Sequence, residues 1–281
     1  MPDLPMTLTL RGGATVHRLG FGAMRITGRG VWGFPPDEAA AIALLRRAVD
    51  GGVNFIDTAD SYGPGASETL IAKALHPYPA GLVIASKGGF VRPGPAAWAI
   101  DARPAHLRRV CEESLKRLRL ECIPLYQLHC VDHRIPVEDS LGELVRLRGE
   151  GKIGEIGVSN VSAAELARAR RVTDIASVQN AYNLNHRDDD DLVDLCAAGG
   201  IAFIPFYPLA KGRLAAAGSP LARIAARHDA TPGQIALAWL LRRSATMLPI
   251  PGTASLPHLE ENMAATNLRL ADAEFRELAA L

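Results

Sequence analysis

The sequence is short of several things at once. Cysteine is scarce, and the four present, Cys111, Cys122, Cys130 and Cys196, form no CxxC pair and no regular framework. A disulfide-stapled fold is thereby excluded, and free thiols in a reducing cytoplasm are expected. Neither sign of charge dominates: 31 basic against 30 acidic side chains leave a net +1. The basic excess or stripe of a nucleic-acid binder is absent. Lysine supplies only five of those basic residues, so each one is easy to notice. No apolar run reaches the roughly 18 residues of a membrane span. The N-terminal MPDLPMTLTLRGG also lacks the apolar stretch of a signal peptide.

What is present is a 281-residue chain with 48% hydrophobic and 22% charged residues. A sizeable core can be buried, and wholesale disorder is excluded. That length fits two ordinary domains or one large α/β domain. Short Val/Ile/Leu-rich runs alternate with longer Ala/Leu/Arg/Glu segments of helical period. The runs at 19–22, 53–57, 82–86, 124–128, 153–157, 176–179, 202–205 and 247–249 read as strands. The segments 37–51, 67–74, 104–118, 137–149, 162–172, 189–198, 232–243 and 256–265 read as helices. Ser162 three residues before Glu165, and Thr231 before Pro232, are start signals, while glycine pairs at 51–52 and 199–200 are stops.

Strands that are apolar throughout are those covered on both faces, as in a parallel sheet under helices. Eight such units close into a (β/α)8 TIM barrel, which abolishes exposed sheet edges. The stretch TLTLRGGATVHRL reads as a β-hairpin plugging the bottom, and 271–280 as a short C-terminal helix. No linker-like stretch divides the chain, so 1–281 is expected to be one barrel domain. Gly28-Arg-Gly-Val-Trp-Gly33 matches a dinucleotide fingerprint literally, but Phe34-Pro35-Pro36 follows where a helix should open. It is a decoy.

Barrel enzymes place their chemistry at the C-terminal ends of the strands. Here the second to sixth runs end in Asp57, Lys87, His129, Ser159-Asn160 and Gln179-Asn180, with Tyr62 five residues past Asp57. Singly these are a turn residue, a solvated lysine, a core histidine and a surface aromatic. Converging on one mouth they form a carbonyl polariser with an attached proton source. A free phenol has a pKa near 10. A nearby ammonium lowers it, and a carboxylate keeps that ammonium charged. Histidine can donate to a developing oxyanion or relay the proton. The acidic run Asp188–Asp191 reads as a helix start, and no metal is expected.

Several of these stretches carry a resemblance: Asn54-Phe-Ile-Asp-Thr-Ala-Asp-Ser-Tyr-Gly63 with Ser67-Glu68, Ala85-Ser-Lys-Gly, Leu128-His129, Gly157-Val-Ser-Asn160, Gln179-Asn180 and Ile250-Pro-Gly-Thr. Together, and over essentially the whole chain, they resemble the aldo-keto reductase superfamily. The resemblance implies NAD(P)H-dependent reduction of aldehydes or ketones, with Tyr62 as general acid, Lys87 and Asp57 as its tuning pair, and His129 orienting the carbonyl. It implies a cofactor-binding set of Gly22, Met24, Asp57, Ser159, Asn160, Gln179, Phe206, Tyr207, Leu209, Lys211, Gly252, Thr253, Ser255, His258, Glu261 and Asn262. Ser159, Asn160 and Gln179 would hold the nicotinamide carboxamide, Phe206 would stack on its ring, and the 252–262 segment would bind the adenosine end.

The sequence departs from that pattern at two places. Where many relatives carry Lys and Arg against the 2′-phosphate of NADPH, this chain has Gly252 and His258. Hydroxyls at Thr253 and Ser255 and the imidazole remain, so NADPH is expected ahead of NADH. The chain also ends soon after the last helical segment, without the long C-terminal loop of many relatives. The substrate pocket should then be shaped by 24–34 with Trp32 and by 90–100 with Trp98. The motifs Phe21-Gly-Ala-Met, Val31-Trp-Gly-Phe-Pro and Ile250-Pro-Gly-Thr most resemble short bacterial members, some of which reduce pyridoxal, a lead toward an aromatic aldehyde. The expected partner is a small carbonyl compound, and the expected assembly a monomer or weak homo-oligomer. Two other classes stay open: a Schiff-base aldolase using Lys87, and a nucleotide-binding redox sensor without turnover.

Overall fold

The computed structural model describes residues 4–215 and 220–281. It opens with an antiparallel hairpin, β1 (Thr7–Thr9) and β2 (Thr15–His17). The central sheet comprises β3 (Phe21–Gly22), β4 (Phe55–Asp57), β5 (Val83–Gly88), β8 (Ile123–Leu128), β9 (Ile153–Ser159), β10 (Ser177–Gln179) and β11 (Ala202–Phe203). All its pairings are parallel and sequential, from β3 at one edge to β11 at the other. A second hairpin, β6 (Phe90–Gly94) and β7 (Ala97–Ile100), stands out above β5. The sequence reading marked that segment as pocket wall and missed the hairpin, although Pro93-Gly94-Pro95 between apolar pairs is a turn signal.

The eighth run is not a regular strand, and the reason is chemical. Pro249 and Pro251 have no N–H to give to a ladder. The segment closes the barrel through the bonds it can still make. Phe203 donates its N–H to the Thr246 carbonyl (2.9 Å), Leu248 donates to Phe203 (2.8 Å), and Gly20 donates to Pro249 (3.0 Å). The buried guanidinium of Arg18 reinforces the seam, donating to the carbonyls of Met247, Leu241, Ser244 and Pro5. The result is a (β/α)8 barrel.

The helices follow the expected order: α1 (Glu38–Asp50), α2 (Ala66–Leu75), α3 (Pro104–Leu118), α4 (Val137–Gly149), α5 (Ala163–Val172) and α6 (Asp190–Ala198). Then come α7 (Ala222–Arg227), α8 (Pro232–Arg243), α9 (Leu256–Ala264) and α10 (Asp272–Ala279). The short α7 had no sequence-level expectation. Reciprocal caps start α5, from Ser162 and Glu165, and α8, from Thr231 and Gln234. The decoy Gly28–Gly33 stretch is a loop with Val31 at φ 55°, and the first α-helix of the described residues opens only at Glu38.

Strand alternation sorts the side chains into two cores. Ile56, Ile84, Tyr126, Val178 and Phe203 point outward under the helices. Phe55, Val83, Ala85, Leu125 and Leu248 fill the barrel interior, with Leu10 and Val16 of the N-terminal hairpin segment packed against them. The hairpin thus plugs the N-terminal end. With a period of two, Asp57 follows Phe55 and Lys87 follows Ala85 on the inner face. The lower barrel is therefore apolar, and its upper layer carries the charges.

Candidate active site

At the centre of the upper layer lies a fully buried ion pair, Lys87 Nζ to Asp57 Oδ2 at 2.7 Å. Lys87 also donates to the Thr58 carbonyl (2.9 Å) and the Tyr62 hydroxyl (3.4 Å), so its three protons all have partners. The other oxygen of Asp57 accepts from Gln179 Nε2 (2.8 Å) and Gln127 Nε2 (3.4 Å). Three donors thus face the carboxylate, at least one on each oxygen, as a charge held away from water requires. Tyr62 sits on the turn between β4 and α2. His129 directly follows β8 across from it, the two rings meeting edge to face at 5.9 Å.

Burial lowers the His129 imidazole well below its usual value, with the Lys87 charge pushing the same way. The ring is neutral at pH 7. Its Nδ1 is buried without a partner among the described residues. An unpaired acceptor is more tolerable there than an unpaired donor, so we assign the proton to Nε2, where it can be offered to the pocket.

The tyrosine departs from the sequence reading. Its pKa is raised well above 10, first by burial and then by the charge of Asp57, and not lowered by the lysine. Lys87 itself is lowered by burial against the opposing pull of Asp57. In the absence of a ligand Tyr62 is thus a neutral phenol with an ammonium in reach. Sequence spacing identified the cation and could not weigh it against desolvation.

Asp57, Tyr62 and His129 open onto a cavity of about 1200 Å³, and Lys87 lies just behind them. Ser159, Asn160, Gln179 and Phe206 line it, and so do all the other positions named above for a cofactor, from Gly22 and Met24 to Tyr207, Leu209, Lys211 and the 252–262 segment. Trp98 lines it too, while Trp32 stands outside, flanked by the Arg92 guanidinium at 5.7 Å. Arg25 and Phe90, from the two segments expected to shape the pocket, also line the cavity. Phe90 packs on His129, with ring centroids 4.6 Å apart.

Around this cavity the polar groups are already organised. Asn160, at φ 55°, donates through Nδ2 to the His129 carbonyl (3.0 Å) and to Ser159 Oγ (3.1 Å). Ser159 Oγ in turn donates to the Gln179 carbonyl (2.8 Å). At the far end Ser255 heads α9 without a side-chain cap, leaving N–H groups of its first turn available to an anion. Gly252 is a glycine by necessity: a Cβ there would lie 2.5 Å from the Gly22 carbonyl oxygen. The close approach of those two backbones leaves no room for a side chain at this position. The Ser67-Glu68 motif is structural. Ser67 bridges Thr58 and the Ala23 carbonyl, and Glu68 accepts from Ser86 (2.5 Å) and Arg117 (2.7 Å).

A closed parallel barrel thus carries a Lys–Asp pair, a phenol and a neutral imidazole at its C-terminal mouth, a site of the oxidoreductase class. The aldo/keto reductase family profile matches residues 18–281, and the chain belongs to that family. It is 43% identical over 272 residues to the pyridoxine 4-dehydrogenase of Escherichia coli, covering 95% of this chain and 94% of that one. It is 45% identical over 267 residues to an uncharacterized oxidoreductase of Schizosaccharomyces pombe, covering 95% and 87%. The glycerol dehydrogenase of Gluconobacter oxydans superposes with a TM-score of 0.90 at 26% identity, covering 98% and 94%. An aldo-keto reductase from Klebsiella pneumoniae in complex with NADPH gives 0.84 at 28%, covering 99% and 95%.

Among the described residues no cluster of His, Cys, Asp and Glu is arranged to hold a metal ion, and Asp188–Asp191 leads into α6. No helix of the described residues is long and apolar enough to cross a membrane.

Proposed function

We propose that the protein reduces aldehydes or ketones to alcohols with NADPH, Tyr62 giving the proton to the carbonyl oxygen. One observation carries this reading. The buried Lys87–Asp57 pair, the Tyr62 hydroxyl and the neutral His129 ring meet at the floor of one large cavity.

The cavity suits a dinucleotide as well as a substrate. Its volume exceeds the roughly 300–1000 Å³ that small ligands usually need, and it runs from Trp98 to the uncapped end of α9. Asn160 and Gln179 use their amide nitrogens inside the protein, which leaves both amide oxygens for a carboxamide N–H. Phe206 would offer a flat face to the nicotinamide ring. Lys211 and Arg25 line the cavity and supply the positive charge a 2′-phosphate needs, and the His258 ring beside them can hydrogen-bond to it, which favours NADPH. A bound NADPH supplies the hydride.

The remaining work falls to the side chains. His129 Nε2–H and the Tyr62 hydroxyl both donate to the substrate oxygen and orient the carbonyl carbon. As negative charge builds on that oxygen, the phenol releases its proton. Lys87, 3.4 Å from the hydroxyl, stabilises the phenolate left behind. Burial keeps the phenol protonated until then, so the acid is loaded over the neutral pH range. A Schiff base at Lys87 is disfavoured, because its nitrogen is fully buried and its protons are all engaged. Trp98 on the substrate side and the likeness to a pyridoxine dehydrogenase support an aromatic aldehyde such as pyridoxal as substrate. Oxidation of NADPH, followed spectroscopically with a panel of aldehydes including pyridoxal, tests the reading; silence across the panel sinks it.

A further inference from the structure

The guanidinium of Arg92, on β6, lies outside the groups discussed so far. It donates Nε–H to the Ala97 carbonyl (2.8 Å), Nη1–H to Val31 (2.7 Å) and Ser61 (3.0 Å), and Nη2–H to Gly30 (2.9 Å). Those four acceptors belong to three segments, which one side chain thereby joins: the 28–33 loop, the turn carrying Tyr62, and the β6–β7 hairpin. Its plane lies over the Trp98 ring at 3.9 Å from the centroid and reaches toward Trp32 at 5.7 Å. Among the described residues no acidic side chain acts on its charge, which only burial perturbs.

The loop it holds is not one the sequence would adopt unaided. Gly30 has φ 72°, and Val31, a β-branched residue, has φ 55°. A β-branched residue in that region is held there by its surroundings. The Val31 carbonyl accepts from Arg92 and also from the Gly63 N–H (3.2 Å), next to Tyr62. Gly30 is likewise tied to the hairpin, its carbonyl accepting from the Ala96 N–H (3.1 Å). Trp98 then stands edge-on to Tyr62, with centroids 6.4 Å apart, and edge-on to Phe90 at 5.6 Å.

We propose that Arg92 is a positioning residue that sets the substrate-side wall: it clamps the 28–33 loop to the hairpin and fixes the face Trp98 presents to an aromatic ring of the substrate. This rests on the carbonyl-reductase reading for its substrate consequence. Lysine cannot replace it, since an ammonium has neither the planar fork nor the stacking face.

The experiment compares wild type, Arg92→Lys and Arg92→Met with two substrates, benzaldehyde and propanal, the second having no ring to lay against Trp98. Both variants are expected to raise the KM for benzaldehyde about five- to twentyfold, the size of a lost cation–π and stacking contact. The kcat, the propanal KM and the NADPH Kd stay within twofold. In a Trp98→Ala background Arg92→Met should add little further, because the two act through one contact. Acrylamide quenching of tryptophan fluorescence should rise in both Arg92 variants, and this rise should vanish when Trp32 and Trp98 are both replaced by Phe. Equal losses for both substrates, or full rescue by lysine, would overturn the proposal, as would unchanged quenching. If the wild type reduces neither aldehyde nor any other, the functional reading fails, and quenching still decides whether Arg92 holds the two tryptophans.

Discussion

Removing the Lys87 ammonium separates what holds the barrel mouth together from what performs chemistry there. In Lys87→Met the methionine fills much of the space, but Asp57 is left as a buried carboxylate with only the two glutamine amides as donors. At 2.7 Å the gross attraction lost is about 6 kcal/mol for an effective dielectric of about 20. Part of that is returned, because the lysine is no longer desolvated. Breaking a buried pair from one side costs about 3–5 kcal/mol net. For a chain of 281 residues the entropy of unfolding is about 0.6 kcal/mol per kelvin, so the melting temperature should fall by about 5–8 °C. The double variant Asp57→Asn/Lys87→Met carries no stranded charge and should recover most of that loss. Turnover should not recover, since the phenolate has lost its cation in both; kcat should stay down by about 10²–10⁴-fold. Urea unfolding and NADPH oxidation measure the two quantities on the same samples. A double variant no more stable than Lys87→Met would refute the stranded-charge argument. Restored turnover would refute the role of the ammonium.

Other outcomes follow from the same geometry. His129 has a folded pKa well below the unfolded value of about 6.5. The unfolded chain therefore takes up a proton first, and stability should fall as pH drops below that value, by up to about 1.4 kcal/mol per unit. Melting curves of wild type and His129→Gln at pH values on either side of 6.5 test this, the variant having a shallower slope, with the share from the buried His106 left. Gly252→Lys should weaken NADPH binding despite its added charge, because its Cβ meets the Gly22 carbonyl at 2.5 Å; titration of cofactor fluorescence measures it. Trp98→Ala should raise the KM for aromatic aldehydes about tenfold with little change in kcat. Carbonyl reduction should hold level through neutral and mildly alkaline pH, since Tyr62 keeps its proton there, whereas alcohol oxidation should rise with pH.

Most of the barrel was legible because each signal is local. Asp37, Ser162 and Thr231 cap their helices through bonds within four residues. The apolar runs place Asp57, Lys87 and His129 at strand ends by counting alone. The eighth strand was less legible, since Pro249 and Pro251 turn a strand-like run into a seam held by its neighbours. The β6–β7 hairpin escaped notice because its partner strands are short and its hydrophobic alternation is weak. The proton affinity of Tyr62 was misjudged for a different reason. Spacing shows which charges are near, while burial, set by the whole fold, decides which effect wins. Arg92 could not be singled out either: its four acceptors are backbone carbonyls, which leave no trace in side-chain identity.

Replacing the Tyr62 hydroxyl by hydrogen is the most direct trial of the central claim. With NADPH and pyridoxal or another accepted aldehyde, Tyr62→Phe should lower kcat by about 10²–10⁴-fold while the Kd for NADPH stays within twofold. A variant that reduces the aldehyde at the wild-type rate would show that the proton comes from elsewhere.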